Sequence, residues 1–123
     1  MSYQYNQATL VGRLTRDPEL IKISDSLSKA QFTLAVKRNY KKEDGVSETD
    51  FIPISLWGRS AETAHELLKK GTPVLVWGRI QIRTFKNQEK RSQVAEVVGD
   101  NFQILQPKSG LVSDVQVGGI EPL

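Results

Sequence analysis

The sequence predicts an all-β chain, a small barrel with a single short helix. Three observations carry this. Five segments alternate apolar and polar side chains with a period of two. One segment alone has helical spacing. That segment lies between the third and fourth alternating runs.

The first strand is expected in "NQATLVGRL", with Ala8 and Leu10 on one face and Thr9 and Val11 on the other. A strand turns successive side chains to opposite faces. Residues 16–29, "RDPEL" followed by "SDSLSK", read as a turn and a polar loop. "AQFTLAVKRNY" is the second strand, with Phe32, Leu34 and Val36 on one face. "KKEDGVSETD", residues 41–50, reads as a charged loop around Gly45. "DFIPISLWG" is the third strand, with Ile52, Ile54 and Leu56 opposite Phe51, Ser55 and Trp57. Pro53 removes a ladder donor there and suggests an edge or a bulge.

"SAETAHELLKKG" is the helix. Ala61, Ala64 and Leu68 share a face, with Leu67 beside them. Ser60 is the expected N-cap. Lys69 and Lys70 suit the C-terminal end of the dipole, and Gly71 suits the C′ position. "PVLVWGRIQIRTF" is a long fourth strand, with Gly78 where a bulge or sharp bend fits. "NQEKRSQ", residues 87–93, is a short polar break, and "QVAEVVGDNFQIL" is the fifth strand. This order suggests an OB-fold, a five-stranded Greek-key barrel with one short helix between strands three and four. The domain is expected over residues 1–106. From Pro107 onward Pro, Gly and Ser lie among isolated apolar residues, so residues 107–123 read as a flexible tail.

Composition excludes several classes. The chain has 123 residues, enough for one modest core. It has no cysteine, which excludes disulfides, thiolate metal sites and cysteine nucleophiles. No apolar run has the length of a membrane span, and the N-terminus lacks the pattern of a signal peptide. A cytoplasmic location with no membrane partner is the simplest expectation. His65 is the only histidine, and it falls within the helix. Carboxylates do not cluster, and no phosphate-binding glycine loop or nucleophile–base pair is present. Neither an enzyme nor a cofactor is expected. Lys and Arg exceed Asp and Glu by 17 to 14, a mild lean towards an acidic partner if the cations cluster.

They do cluster, and with rings. On the fourth strand Arg79 and Arg83 alternate with Ile80 and Ile82 between Trp77 and Phe85. Parity points Ile82 into the barrel and Phe85 to solvent. The third strand exposes Phe51 and Trp57. After the second, Lys37, Arg38, Lys41 and Lys42 surround Tyr40, and Lys86 follows Phe85. Single-stranded nucleic acid offers unpaired bases for rings to stack on and phosphates for cations to neutralise. Stacking tolerates any sequence, because every base has a π-face. Each ring also has a packing reading. Trp57 or Trp77 would serve equally in a subunit interface.

These stretches resemble the bacterial single-stranded DNA-binding proteins of the homotetrameric OB-fold type. The matching segments are "LVGRLTRDPEL", "AQFTLAVKRNY", "DFIPISLWGRSAE", "LLKKGTPVLVWGRIQIRTF" and "AEVVGDNFQIL", in order over most of residues 6–106. The resemblance implies sequence-tolerant coating of single-stranded DNA in replication, recombination and repair. Tyr40, Phe51 and Phe85 match the family's base-stacking places, often tryptophan in relatives, and Trp57 matches a further aromatic place. The resemblance also implies a homotetramer built from dimers through the N-terminal strand, with a homodimer as the fallback. Trp77 stands where relatives usually carry a charge. Relatives end in an acidic run with an apolar tip that recruits replication and repair proteins. Here the tail has only Asp114 and Glu121 and ends "GGIEPL", a departure that speaks against such partners. The alternative readings are a primosome accessory protein of the same fold acting through protein contacts, a nuclease, and an OB-fold carbohydrate binder.

Overall fold

Leu34, Ile54, Leu56, Val74 and Val76 are almost fully enclosed, and the strands that carry them close around them. The computed structural model describes residues 3–105. The tail expected over 107–123 lies outside them. The elements in order are β1 (Ala8–Leu14), β2 (Glu19–Ser24), β3 (Leu27–Lys41), β4 (Ser47–Trp57), α1 (Arg59–Leu67), β5 (Pro73–Asn87) and β6 (Lys90–Ile104).

The sheet runs β1-β5-β6-β4-β3-β2, and β1 also pairs with β3. That last pairing closes a five-strand barrel of β1, β3, β4, β6 and β5, with β2 outside it on the edge of β3. All neighbours are antiparallel except β4 and β6. This is the expected OB-fold, with its helix between the third and fourth barrel strands.

Closure needs a close approach. Gly12 of β1 faces β3 so tightly that an added Cβ would sit 2.3 Å from the Ala35 carbonyl oxygen. A side chain would push the two strands apart there. Upstream, the Asn6 carboxamide extends the β1–β5 ladder. It donates to the Ile80 carbonyl at 2.8 Å and accepts from the Ile80 N–H at 2.9 Å. The irregularity near Gly78 belongs to the partner strand: Trp77 pairs with Asn101 and Gly78 with Gly99, so the extra residue is Asp100 of β6. The Val98 carbonyl oxygen would be 2.1 Å from a Cβ at Gly78.

The core follows strand parity. Phe32 and Leu34 of β3, Ile54 and Leu56 of β4, and Val74 and Val76 of β5 point inward, and Ala61, Ala64 and Leu68 plug one end. Val36 and Ile52 flank this cluster, partly buried.

Four expectations are corrected. Residues 16–29 are not a plain loop. They hold β2 and the start of β3, which pair from Glu19↔Gln31 to Ser24↔Leu27. The loop around Gly45 is confined to residues 42–46, with Lys41 and residues 47–50 in strands, and residues 87–93 are mostly strand, the β5–β6 turn being only Gln88 and Glu89. The helix is capped by Gly58, not Ser60. Ser60 lies in the first turn and its hydroxyl donates to the Trp57 carbonyl at 3.0 Å. The C-cap is Leu68, so Gly71 is not C′. It serves the following turn, where its N–H donates to the Leu14 carbonyl at 2.8 Å.

The fourth correction concerns Ile82. It keeps the parity of Val74 and Val76, yet 54% of it is exposed, and Ile80 is also exposed. Ile80 lies at the end of the barrel, still flanked by Asn6 and by Val97, and Ile82 lies beyond it, where β5 and β6 run on as a two-stranded ribbon. Correct parity buries a side chain only where another layer covers that face.

Candidate nucleic-acid interface

Cross-strand partners share a face of the sheet. Ser55 of β4 lies beside Val98 of β6, and Val98 lies opposite Arg79 of β5. The outer face of β4, carrying Phe51 and Trp57, is therefore continuous with the outer face of β5, carrying Arg79, Gln81, Arg83 and Phe85. On the other side of β4, Ala35 is opposite Phe51, Thr49 opposite Lys37, and Trp57 opposite Lys29. One surface four strands wide thus holds three rings and several cations. Phe51 is 65% exposed, Phe85 48% and Trp57 38%, so all three rings reach solvent.

Between Trp57 and Arg79 runs a groove of about 420 Å³ lined also by Gln81, Arg83, Glu96 and Asp100. Glu96 is buried, and its Oε2 lies 3.5 Å from Arg83 Nε. That nitrogen is buried and not aligned for a hydrogen bond. Arg83 therefore keeps one edge against a carboxylate. Arg79 forms no ion pair with the described residues.

The β3–β4 hairpin is organised differently. Asp50 accepts from Arg38 Nε at 3.0 Å and from Nη2 at 2.8 Å. Glu48 takes Arg38 Nη1 at 2.6 Å and Lys42 Nζ at 3.0 Å. Arg38 Nη1 also donates to the Tyr40 hydroxyl at 3.0 Å. These hydrogen bonds and charges have opposite effects on the two partners. The fork from Arg38 holds the Asp50 carboxyl below its ordinary pKa. Asp50 in turn, with Tyr40, raises the already high pKa of Arg38.

Asp50 leaves β4 on the side opposite to its neighbour Phe51. The Tyr40 hydroxyl is thus tied to a network on the far side of the ribbon from the three-ring face. Lys86 also lies on the far side by parity, directly opposite Arg91. Lys41 pairs with Ser47 through the backbone. Of the residues singled out in the sequence, the fold brings Phe51, Trp57, Phe85, Arg79, Arg83 and Lys37 onto one face. It sets Tyr40, Arg38 and Lys86 apart from them and pairs Lys42 with Glu48.

Sequence reading missed three cations. Lys29 falls in the segment that reads as a loop, yet it pairs with Trp57 and shares the parity of Lys37. Lys90 and Arg91 fall in the polar break, where they flank the β5–β6 turn. Two of them would have been found by extending the strand alternation through charged residues. Among the described residues no group of three or more His, Asp or Glu side chains could hold a metal ion. Nor is any helix there long and apolar enough to cross a membrane.

A family model described as the single-strand binding protein family matches residues 5–105. The chain belongs to this family. Single-stranded DNA-binding protein 1 of Streptococcus pyogenes is 46% identical over 104 residues, 84% of this chain and 80% of the relative. The Streptococcus mutans single-stranded DNA-binding protein is 48% identical over 105 residues, 85% of this chain and 64% of the relative. That of Caldanaerobacter subterraneus is 47% identical over 109 residues, 88% and 73% respectively. The single-strand binding family match spans the whole barrel and both ribbons, including every residue of the three-ring face.

Proposed function

We propose that this chain binds single-stranded DNA with little sequence preference and coats it during replication, recombination and repair, without catalysis. The observation that carries this reading is the shared outer face of Phe51, Trp57 and Phe85 with Arg79 and Arg83. Rings held on a sheet and spaced by guanidinium groups match unpaired bases and their phosphates. The names of the three relatives point the same way. Duplex DNA offers the same phosphates but keeps its base faces stacked.

The reading includes self-association in the cytoplasm, as a homotetramer with a homodimer as the smaller unit. Its support is apolar surface on the other side of the β4–β5 face. Ala8, Leu10, Ile52, Ile80, Ala95 and Val97, together with Pro53 and Phe51 and the carboxylates of Asp50 and Glu96, line a groove of about 390 Å³ beside the exposed Ile82. A second copy bringing its own β1 would cover these side chains. Phe51, Trp57, Phe85, Arg79, Arg83 and Lys37 are the primary contacts in this reading.

Titration with a homopolymer oligonucleotide at two salt concentrations tests it, with Trp57 and Trp77 fluorescence as the reporter. Binding should weaken with salt, by a slope of roughly −0.7 per phosphate neutralised. Equal affinity for a duplex of the same length would overturn the reading.

A further inference from the structure

Lys29 is a lysine that is only 8% exposed. Lysine is almost never buried this far without a partner. Among the described residues no carboxylate lies within ion-pair distance of its ammonium. What it has is Trp57, its direct cross-strand neighbour, with the Nζ 5.2 Å from the centre of the indole. Trp57 is the more exposed of the two; the Lys29 stem is buried, and its ammonium lies over one face of the indole and still reaches solvent.

We propose that Lys29 is a positioning residue for the DNA-binding face, a cation on a buried stem that fixes the Trp57 ring so that its free face takes a base. One face of the ring is occupied by the cation, which holds the indole by attraction to its quadrupole. The other face is left for stacking. The uncompensated positive charge lies directly behind the stacked base and draws its phosphates towards the same spot. Arg79 flanks the ring on the β5 side of the adjoining groove, so a nucleotide on Trp57 would lie between two unpaired cations.

The inference rests on the single-stranded DNA reading. Its test is the affinity and salt slope of the full chain for an oligothymidylate, measured for the wild type, Lys29→Met and Lys29→Arg. Methionine keeps the stem and removes the charge. Lys29→Met should lower affinity by roughly 2- to 30-fold, the range of a cation–π contact. It should flatten the salt slope by up to about 0.7 and leave the melting temperature nearly unchanged. Lys29→Arg should restore most of the affinity. In a cycle with Trp57→Leu, the loss caused by Lys29→Met should shrink, because the ring it props is gone. If Lys29→Met does not fold, Lys29→Gln gives the same comparison. Unchanged affinity and slope in a folded, uncharged variant would overturn the inference, leaving a packing role. Absence of binding by the wild type would instead overturn the function on which it rests.

Discussion

The carboxylate of Asp50 grips the guanidinium of Arg38 by two hydrogen bonds, at 3.0 and 2.8 Å, and so removes that cation from the pool free to meet DNA. Glu48 does the same to Lys42. On the proposed reading these paired cations contribute less to DNA binding than Arg79 does. Arg38→Met should flatten the salt dependence of binding far less than Arg79→Met. The latter should change the slope by about 0.7 if Arg79 neutralises one phosphate. Parallel titrations across a salt series decide this, and equal changes for the two variants would count against it.

The same pair sets a pH dependence. The hydrogen bonds from Arg38 lower the Asp50 pKa in the folded state. Stability from the pair is therefore complete above the unfolded aspartate value, near ~3.9. It is lost as pH falls through the lower folded value. An NMR titration of the Asp50 carboxyl should show a midpoint below that of ordinary aspartates. Arg38→Met should bring it back to the ordinary range.

Phe85 stands at the outer end of β5, exposed, on the ribbon beyond the core. Phe85→Ala should weaken single-strand binding by roughly 1–3 kcal/mol and leave the melting temperature nearly unchanged. Leu34 is fully enclosed in the barrel. Leu34→Ala should cost roughly 2–5 kcal/mol of stability through lost burial and the cavity left behind. A large drop in melting temperature for Phe85→Ala would show that its ring is packed and not presented.

Ile82 separates subunit packing from subunit folding. Its exposure means that Ile82→Asp should leave the barrel folded. A charge on the apolar side of the β5 ribbon should nevertheless disfavour contact with a second copy. Light scattering at micromolar concentration should show the wild type as an oligomer and the variant at a lower mass. A monomeric wild type would remove the proposed interface.

Parity along the strands made the barrel readable. Phe32, Leu34, Ile54, Leu56 and Val74 announce their inward face by alternation alone, and the helix stands out because Ala61, Ala64 and Leu68 do not alternate. The ribbons were not readable in the same way. Beyond the barrel, backbone ladders hold residues such as Ser47, Glu48 and Lys90 in strands whatever their side chains, so polar composition suggested loops. β2 was hidden for the same reason, since its exposed positions lack a clean two-residue pattern. At the site, Phe51, Trp57, Phe85, Arg79 and Arg83 could be named from sequence. Which cations are already paired could not, because Arg38 and Asp50 meet only through the register of β3 and β4. Lys29 was invisible until that register placed it opposite Trp57.

The most direct test of the central claim is the oligothymidylate affinity of a variant with Phe51, Trp57 and Phe85 all changed to alanine. Its control is Tyr3→Ala with Tyr5→Ala, two exposed rings that precede β1. Three stacking rings at about 1 kcal/mol or more each predict at least a hundredfold loss for the triple variant, with its circular dichroism retained. The control should bind as the wild type does. A folded triple variant that keeps wild-type affinity would contradict the assignment of this face as the DNA-binding surface.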